Sequence, residues 1–316
     1  MNAISTLAAL VTAVALAGTV CAAFAPRHWI ADLAAHFRMQ YAVAALLGGG
    51  VLAWTLSPAW ALLGAAACAF NVAASMPILR RKPVIPATPG LHAAPGVQLR
   101  VASVNVFYRN GDSSRVLRLI RNERPDVVVL QEITPSWHRA LDALEPDYPH
   151  RRFTGDSRSR GVLLLSRWPI ERSEFLVSHA GGSFGVSALL SISGRTLRVV
   201  GVHACWPMGS ARTALRNRQL EQLAELALAE AAPLLIVGDL NVSPFSSSFQ
   251  RLLEAGGVTS CANGYGWQPT WPSFFPPAGI QIDHVLASSG ITVHGFRRGL
   301  LIGSDHCPIS VDIALR

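Results

Sequence analysis

The sequence predicts an α/β sandwich preceded by about three N-terminal transmembrane helices, and three observations support this prediction. Residues 98–316 alternate between apolar runs typical of buried strands and stretches with helical periodicity, a pattern that favours layered sheets and helices. Residues 1–78 carry only three charged side chains. Several apolar runs close on a single polar residue, which places the polar ends of several strands on one rim of the predicted sandwich.

Two long uncharged stretches define the N-terminal region. Ile4 to Phe24 has no charge over 21 residues, enough to cross a hydrocarbon core of ~30 Å at ~1.5 Å per residue. Tyr41 to Met76 is uncharged over 36 residues, which is too long for one span, and Ser57-Pro58 between Trp54 and Trp60 predicts a turn in its middle. We therefore predict a transmembrane region over residues 1–79, with spans at about 4–24, 40–56 and 59–78.

The first stretch also has an interpretation as a cleaved signal peptide. Ala23-Phe24-Ala25 resembles a small-x-small cleavage site, but the start of the chain has no Lys or Arg and Pro26 follows the cleavage point directly. With three spans, the loop that contains Arg27 and Arg38 lies on the same side as residues 80–82, which are all basic. The positive-inside rule then makes that side, and the domain that follows, cytoplasmic.

A Pro/Gly-rich linker over residues 80–97 separates the apolar region from a catalytic candidate at residues 98–316. The net charge of the chain is +8, but residues 97–316 hold 22 Arg against 18 acidic residues, a net charge of only +4. This small excess does not select nucleic acid as a partner. The five cysteines lack zinc-site spacing and form no even set in the domain, so neither a structural zinc nor a disulfide framework is supported.

Strand and helix signals alternate along the domain. The predicted strands are 99–107, 126–131, 161–166, 187–192, 196–202, 234–237, 283–287 and 309–313. The predicted helices are 113–123, 211–231 and 249–255. Asp112 or Ser113 is expected to cap the first of these helices, and Ser193-Gly194 is expected to form a hairpin turn.

Polar motifs close these apolar runs in a fixed order. They are Asn105, Glu132, His203, Gly238-Asp239-Leu240-Asn241, and Asp283 followed by Ser304-Asp305-His306. An unpaired buried charge costs several kcal/mol, so strands rarely end in such residues for packing alone. Convergence on one metal-assisted site explains the motifs together.

These motifs resemble those of the endonuclease/exonuclease/phosphatase superfamily, and the resemblance covers about residues 98–314. It is carried by Val104-Asn105, Pro125 to Glu132, Gly201-Val202-His203, Gly238 to Asn241, Ile282-Asp283-His284-Val285 and Ser304-Asp305-His306. It implies a DNase I-like, four-layered α/β sandwich in which two packed mixed sheets are flanked by helices. The chain looks closest to bacterial members with an N-terminal membrane segment, which have a stretch similar to Thr270-Trp271-Pro272. That subgroup implies a multi-pass protein of the bacterial inner membrane.

The resemblance implies a metal site formed by Asn105, Glu132 and Asp305. Glu132 is a hard oxygen ligand suited to Mg²⁺, for which Mn²⁺ is a possible substitute, and Asn105 could share the ion or its water through the amide oxygen. A structural interpretation, in which the Glu132 carboxylate caps a neighbouring helix, is the alternative. Either one or two metal ions fit this prediction.

The resemblance also implies the catalytic set Asp239, Asn241, His203, His306 and Asp283. Asp239 would orient or deprotonate the attacking water, and Asn241 would donate its amide to a phosphate oxygen. His306 would contact the phosphate while Asp283 holds its second ring nitrogen, and His203 would supply a second imidazole. In isolation, Gly-Asp-x-Asn is equally explained as a turn, and a lone His at a strand end is more often structural.

The implied activity is hydrolysis of a phosphodiester, either in nucleic acid or in a phospholipid headgroup. Phe107 stands where the abasic-site endonuclease branch has an acidic residue, which argues against specific DNA repair. The aromatic loop at 264–279 could stack bases, enter a lipid interface or simply pack on the domain. Besides substrate, the sequence indicates only the bilayer as a partner. The alternative function is a catalytically silent membrane scaffold or binding module.

Overall fold

A computed structural model describes residues 2–25, 27–82, 97–155 and 160–315. Most of the predicted linker at 80–97 therefore lies outside the described residues. The chain divides into two compact units, one formed by residues 1–81 with 242–250 and the other by residues 82–241 with 251–316.

The described residues form α-helices and β-strands that follow the predicted order. The helices are α1 (Ala3–Ala23), α2 (Trp29–Ala35), α3 (Arg38–Thr55), α4 (Ala59–Leu79), α5 (Ser114–Glu123), α6 (Pro135–Ala140), α7 (Ser210–Ala229) and α8 (Ser247–Ala255). The strands are β1 (Val97–Asn105), β2 (Val127–Ile133), β3 (His150–Phe153), β4 (Gly161–Ser166), β5 (Ile170–Val177), β6 (Ser183–Ile192), β7 (Arg195–His203), β8 (Leu234–Asp239), β9 (Thr259–Ser260), β10 (Asp283–Ala287), β11 (Ile291–Arg298) and β12 (Ile309–Leu315).

In the N-terminal region, two helices rather than about three are long and apolar enough to cross a membrane. These are α1 and α4, each 21 residues long. The predicted middle span at 40–56 is a helix, α3, but Arg38, Gln40 and the three consecutive glycines at 48–50 lower its hydropathy. The prediction of a third span was wrong, because absence of charge over residues 41–76 was counted as apolarity.

The basic residues around these two helices bear on the membrane orientation. If α1 and α4 are the spans within the described residues, Arg27 and Arg38 lie between them, whereas Arg80 and Arg81 follow α4. The basic residues are then divided between the two sides of the membrane. The positive-inside rule no longer selects a side for the second unit, and the cytoplasmic placement stays a prediction.

The second unit contains two six-stranded mixed sheets. The strand order is β11-β12-β1-β2-β4-β3 in one sheet and β5-β6-β7-β8-β10-β9 in the other. Apolar side chains of both sheets form a common buried core, for example Val101 and Val129 from the first sheet with Val199 and Val237 from the second. Helices α5 and α6 pack on the outer face of the first sheet through a separate apolar cluster. The predicted α/β sandwich of two mixed sheets with flanking helices is confirmed.

Local signals at two turns are also confirmed. Ser193 and Gly194 both have positive φ, 49° and 81°, as a two-residue hairpin between β6 and β7 requires. At the start of α5, Ser113 occupies the N-cap position without a side-chain cap bond, and Asp112 Oδ1 accepts from the backbone N–H of Ser114 at 3.0 Å.

The sequence analysis missed several strands, most clearly β3, β5 and β11. β5 is an edge strand whose residues 171–175 are all exposed and include Glu171, Arg172 and Glu174. β11 is also an edge strand, and its pairing with β12 is shifted between Val293 and Gly295. Edge strands with one or both faces in water lack the continuous apolar pattern that identifies a central strand.

Candidate active site

The polar strand ends meet at one edge of the sandwich. β1 and β2 run parallel and carry Asn105 and Glu132 near their carboxyl ends. β7 and β8 also run parallel, and His203 pairs in register with Asp239. β10 is antiparallel to β8, so that its first residue, Asp283, stands opposite Asp239. The topology of both sheets therefore brings residues that are far apart in the sequence to a single rim.

His306 and Asp283 form a buried hydrogen-bonded pair. His306 Nδ1 lies 2.9 Å from Asp283 Oδ2 and donates the proton, because a carboxylate can only accept. Burial by itself lowers the pKa of His306, but the negative charge of Asp283 outweighs it and raises that pKa to about 10. The same contact holds the pKa of Asp283 below its ordinary value, although burial opposes this. His306 is therefore an imidazolium at neutral pH.

Two buried hydroxyl groups fix the backbone on either side of this pair. Thr270 Oγ1 accepts from the N–H of Asp283 at 3.2 Å. Ser304 Oγ accepts from the N–H of His306 at 3.0 Å and donates to the carbonyl oxygen of Asn105 at 2.7 Å. The motif that carries His306 is thereby attached to the end of β1.

Asp239 is the central carboxylate of the site. Its Oδ2 accepts from Asn105 Nδ2 at 3.1 Å and faces Nε2 of His203 at 3.6 Å and Nε2 of His306 at 3.8 Å. Burial, reinforced by the negative charge of Asp283, raises the pKa of Asp239 to about 7, although the positive charge of His306 opposes this. A carboxylate with this pKa can both accept and release a proton near neutral pH.

Asn105 and Glu132 are held together by side-chain and backbone hydrogen bonds. Besides Asp239, Asn105 Nδ2 donates to Glu132 Oε1 at 3.4 Å, and it lies 3.4 Å from His306 Nε2. Asn105 Oδ1 accepts from the N–H of Phe107 at 3.1 Å, and Glu132 Oε2 accepts from the N–H of Tyr108 at 3.0 Å. The amide therefore points its nitrogen into the site, and its oxygen has one remaining lone pair for the predicted ligand role.

His203 is the most open of the catalytic candidates, with 28% of its side chain exposed. Its Nε2 lies 3.6 Å from Asp239 Oδ2 and 4.0 Å from Glu132 Oε1. Burial lowers its pKa, and the positive charge of His306 adds to this effect, while Glu132 opposes it. The two imidazoles thus differ in charge at neutral pH, His203 being neutral and His306 protonated.

Asn241 is positioned by contacts that the sequence analysis did not anticipate. Its Nδ2 donates to the carbonyl oxygen of Ala204 at 2.9 Å, which leaves one amide N–H for a ligand. Its own carbonyl oxygen accepts from Arg216 Nη1 at 2.8 Å. From the same helix, α7, Gln219 Oε1 accepts from the N–H of Cys205 at 2.7 Å. Helix α7 thus supports both the loop after β7 and the loop after β8.

Arg216 is fully buried, and a sequence signal for it was available. In α7 it lies in the buried stripe that continues through Leu220, Leu223 and Ala227. A guanidinium in the buried stripe of a helix needs a buried acceptor, which makes Arg216 a candidate for supporting the site.

Three non-glycine residues in or beside the site have a positive φ. The values are 58° for Phe107, 62° for Glu132 and 49° for Asn241. Such backbone conformations are unfavourable for L-residues and often occur at functional sites, where surrounding contacts maintain them. Here they turn the chain directly after Asn105 and place the Glu132 carboxylate in the site.

The residues present fit a divalent cation with oxygen ligands. Oδ1 of Asp305 is buried and has no hydrogen-bond partner within the described parts of the chain. Burial also raises the pKa of this carboxyl group. Such an orphaned carboxylate oxygen, near the charge of Glu132, is suited to ligate a hard cation. The ligand atoms of Asp239, Asp283 and His306 also lie within 4.8 Å of one another. Within that trio, Asp283 already accepts from His306 Nδ1 at 2.9 Å, so the trio also contains a hydrogen-bonded acid–base pair.

The aromatic loop at 264–279 divides into packed and exposed residues. Tyr265 packs against the core between the sheets, and Trp271 Nε1 donates to Asp305 Oδ2 at 3.2 Å. Phe274 and Phe275 are exposed, with 76% and 55% of their surface accessible. Of the three uses predicted for this loop, packing accounts for the first two side chains.

Three of the four arginines between residues 151 and 160 belong to the described part of the chain, and they differ in their contacts. Arg151 bonds Asp142 Oδ1 at 2.9 Å and Arg152 bonds the hydroxyl of Ser173 at 2.6 Å, so both are engaged within the fold. Arg158 lies outside the described residues. Arg160, in contrast, stands 3.8 Å from Glu132 Oε2 at the site.

Comparison with known proteins agrees with this geometry. The model of the Endonuclease/Exonuclease/phosphatase family matches residues 102–306. The chain belongs to this family. The match spans the site from the end of β1 to His306 and leaves the N-terminal helices outside. No match was found among curated proteins.

Solved structures show the same fold. An endonuclease/exonuclease/phosphatase from Beutenbergia cavernae is 22% identical, with 69% of this chain and 72% of that chain covered and a TM-score of 0.59. A member from Bacteroides vulgatus is 19% identical, with 70% and 100% covered and a TM-score of 0.60. Danio rerio TDP2, complexed with single-strand DNA product, is 18% identical, with 68% and 98% covered and a TM-score of 0.57.

Proposed function

We propose that this chain is a Mg²⁺-dependent phosphodiesterase tethered to a membrane by its N-terminal helices. The observation that carries the proposal is the convergence of two buried groups. The carboxylate of Asp239 faces Nε2 of His306 across 3.8 Å, while Asp283 accepts from the other ring nitrogen of His306 at 2.9 Å. Asp239 has a pKa of about 7 and His306 a pKa of about 10. A proton acceptor opposite a fixed positive charge is the arrangement required to activate water and neutralise a phosphoryl oxygen.

The chain's own residues then have distinct tasks. Asp239 takes a proton from the attacking water as the water oxygen bonds to phosphorus and the bond to the leaving oxygen breaks. His306, fixed by Asp283, stabilises the negative charge on the phosphoryl group. The remaining N–H of Asn241 and the Nε2 side of His203 bind further phosphoryl oxygens. Since these groups are held in place before substrate binds, little reorganisation is needed during the reaction.

Glu132, Asp305 and Asn105 are the residues that would hold the cation. When bound, Mg²⁺ supplies positive charge that offsets charge developing on the phosphate and the leaving group. Mn²⁺ prefers similar oxygen ligands and would be a substitute.

The proposed chemistry fits two substrate classes equally well. TDP2 from Danio rerio is described with single-strand DNA product, which favours a phosphodiester in nucleic acid. The two apolar helices α1 and α4 favour a phospholipid headgroup, because tethering brings the site close to lipid. Both substrates present the same scissile group to the residues described above.

The test is Mg²⁺-dependent hydrolysis by the full chain solubilised in non-ionic detergent. Substrates would be single- and double-stranded DNA, RNA, a phosphatidyl headgroup ester, bis(p-nitrophenyl) phosphate and a phosphomonoester. We expect turnover that is lost by more than ~10³-fold in Asp239→Asn, a nearly isosteric change, and retained in Asp142→Asn, which alters an exposed carboxylate bound to Arg151. Absence of turnover on every substrate would contradict the proposal and favour a catalytically silent scaffold.

The metal assignment has its own measurement. Chelation should abolish hydrolysis, and Glu132→Gln should raise the Mg²⁺ concentration needed for half-maximal rate by at least ~10-fold, because a neutral amide is a weaker ligand for a hard cation. An unchanged Mg²⁺ dependence in Glu132→Gln would show that Glu132 has another role, such as fixing the N–H of Tyr108.

A further inference from the structure

Beside Glu132, two guanidinium groups gather around one aromatic ring. Cζ of Arg160 lies 4.1 Å from the centroid of the Tyr108 ring, and Cζ of Arg109 lies 5.3 Å from it. We propose that this cluster, Arg160 with Tyr108 and Arg109, binds a second phosphate of the substrate, next to the one that is hydrolysed. The inference rests on the proposed phosphodiesterase function and specifies a single-stranded nucleic acid as the substrate.

The position of the cluster is fixed relative to the catalytic groups. The backbone N–H of Tyr108 donates to Glu132 Oε2 at 3.0 Å, which attaches the loop that carries the ring to the site. Arg160 immediately precedes β4, whose first residue, Gly161, pairs with Ile133, the neighbour of Glu132. The loop of Tyr108 and the residue Arg160 are therefore both held by the end of β2, which supplies the predicted metal ligand Glu132.

The separation from the scissile position suits a neighbouring phosphate. Arg160 Nη1 lies 3.8 Å from Glu132 Oε2, and Glu132 Oε1 lies 4.0 Å from His203 Nε2. With an oxygen–oxygen separation of ~2.2 Å in the carboxylate, the guanidinium lies at most about 10 Å from His203 Nε2. A short chain of phosphodiesters can therefore reach both points.

The guanidinium of Arg160 is available for such a contact. Its side chain is 54% exposed, and the carboxylate with which it forms an ion pair, Glu132, lies beyond hydrogen-bond distance at 3.8 Å. A guanidinium placed over an aromatic ring keeps its N–H groups directed outward from its edge, where they match phosphate oxygens. A divalent cation on Glu132 would neutralise the charge of this neighbour.

The chemistry of the cluster favours nucleic acid over a lipid headgroup. A diester headgroup has one phosphate and no planar group. With that phosphate at the catalytic residues, the cluster of Arg160, Tyr108 and Arg109 would have no ligand. Single-stranded nucleic acid supplies repeated phosphates together with bases, which stack on guanidinium planes and aromatic rings. Tyr108 and both arginines are exposed and accessible to such a strand.

The test compares Arg160→Ala with Arg195→Ala in the full chain in detergent. Arg195 is an exposed arginine at the start of β7, eight residues from His203 and therefore ~26 Å away along the strand, so its removal changes net charge equally without touching the cluster. Binding of a fluorescein-labelled eight-residue oligothymidylate is measured by anisotropy in EDTA, where no hydrolysis occurs. Hydrolysis of the same oligonucleotide and of bis(p-nitrophenyl) phosphate is measured in Mg²⁺.

We expect Arg160→Ala to weaken oligonucleotide binding about 10-fold and to reduce the slope of log K against log salt by about 0.7, the loss of one phosphate contact. KM for the oligonucleotide should rise while kcat/KM for bis(p-nitrophenyl) phosphate stays within about 2-fold of the unmodified chain. Arg160→Lys should be intermediate, because it keeps the charge but not the planar stack.

The outcomes separate this inference from the proposed function. If the chain hydrolyses both substrates, and Arg160→Ala and Arg195→Ala bind and hydrolyse the oligonucleotide equally well, the second phosphate site is refuted. The proposed phosphodiesterase function would stand. Oligonucleotide binding that depends on Arg160, in a chain that hydrolyses nothing, would support the site and refute the enzyme. An equal loss on the oligonucleotide and on bis(p-nitrophenyl) phosphate would place Arg160 at the scissile phosphate and overturn the inference.

Discussion

Substitution of Gly238 by Ala is expected to destabilise the second unit and to stop hydrolysis for the same geometric reason. Gly238 precedes Asp239 in β8 and has a φ of +145°, which L side chains rarely adopt. It pairs with Val202 of β7, and an added Cβ would collide with the carbonyl oxygen of Val202, far inside the 3.0 Å that real Cβ contacts keep. The two strands would have to separate at this point.

The magnitude follows from two contributions. A positive φ costs an alanine roughly 1–2 kcal/mol, and relief of an overpacked contact costs about 1–3 kcal/mol. Gly290→Ala is the matched control, because Gly290 also has a positive φ, +93°, but the nearest atom to its added Cβ, Pro233 Cγ, is 3.8 Å away. The control therefore reports the backbone contribution alone. For a unit of this size, we expect Gly238→Ala to melt roughly 2–12 °C below the control.

The assay is thermal unfolding of the full chain, followed by tryptophan fluorescence, together with the rate of hydrolysis. His203 and Asp239 directly follow Val202 and Gly238, so separation of the strands would lengthen the 3.6 Å contact between the imidazole and the carboxylate. We expect kcat to fall at least ~10-fold in Gly238→Ala and to be unchanged in Gly290→Ala. Equal melting temperatures and equal rates in the two variants would refute the view that close approach of β7 and β8 fixes the site.

Two further predictions concern the support and the charge of the site. Arg216→Met should cost about 1–3 kcal/mol of stability, because the carbonyl oxygen of Asn241 loses its buried donor. The same change should lower kcat more than it raises KM. Arg216→Lys should recover part of the stability and part of kcat, and no recovery would assign the residue to packing alone. The plot of kcat/KM against pH should be bell-shaped, rising through about 7 as Asp239 becomes a proton acceptor and falling through about 10 as His306 loses its proton. Asp283→Asn removes the negative charge that raises the pKa of His306, so the alkaline fall should move to lower pH, and an unchanged alkaline limb would contradict the pairing seen in the structure.

Much of the fold could be predicted because central strands have a one-dimensional signature. The runs that became β2, β4, β8 and β10 are short, apolar and bounded by polar or turn residues, and each lies within a few residues of its predicted position. Edge strands such as β5 could not be identified, because half or more of their side chains meet water and resemble loop residues. The prediction of a third membrane span was wrong for a related reason, since a stretch without charges is not necessarily apolar enough for lipid.

The sequence by itself determined which chemical groups the site contains. Asn105, Glu132, His203, Asp239, Asp283 and His306 were identified from their positions at the ends of apolar runs, and the structure brings them together. Two signals made this possible: polar groups beside buried strands are costly unless they serve one another or a ligand, and the order of these motifs resembles that of a known family.

Only the tertiary structure decided the electrostatics and the support of these groups. Burial lowers the pKa of His203, whereas the contact with Asp283 raises the pKa of His306. The pairing of Asp239 with Asp283 depends on the register of β8 and β10. Likewise, Arg216 reaches the carbonyl oxygen of a residue 25 positions away. Distances between segments that are remote in the sequence are set by strand order and packing, and pKa values and hydrogen bonds depend on those distances.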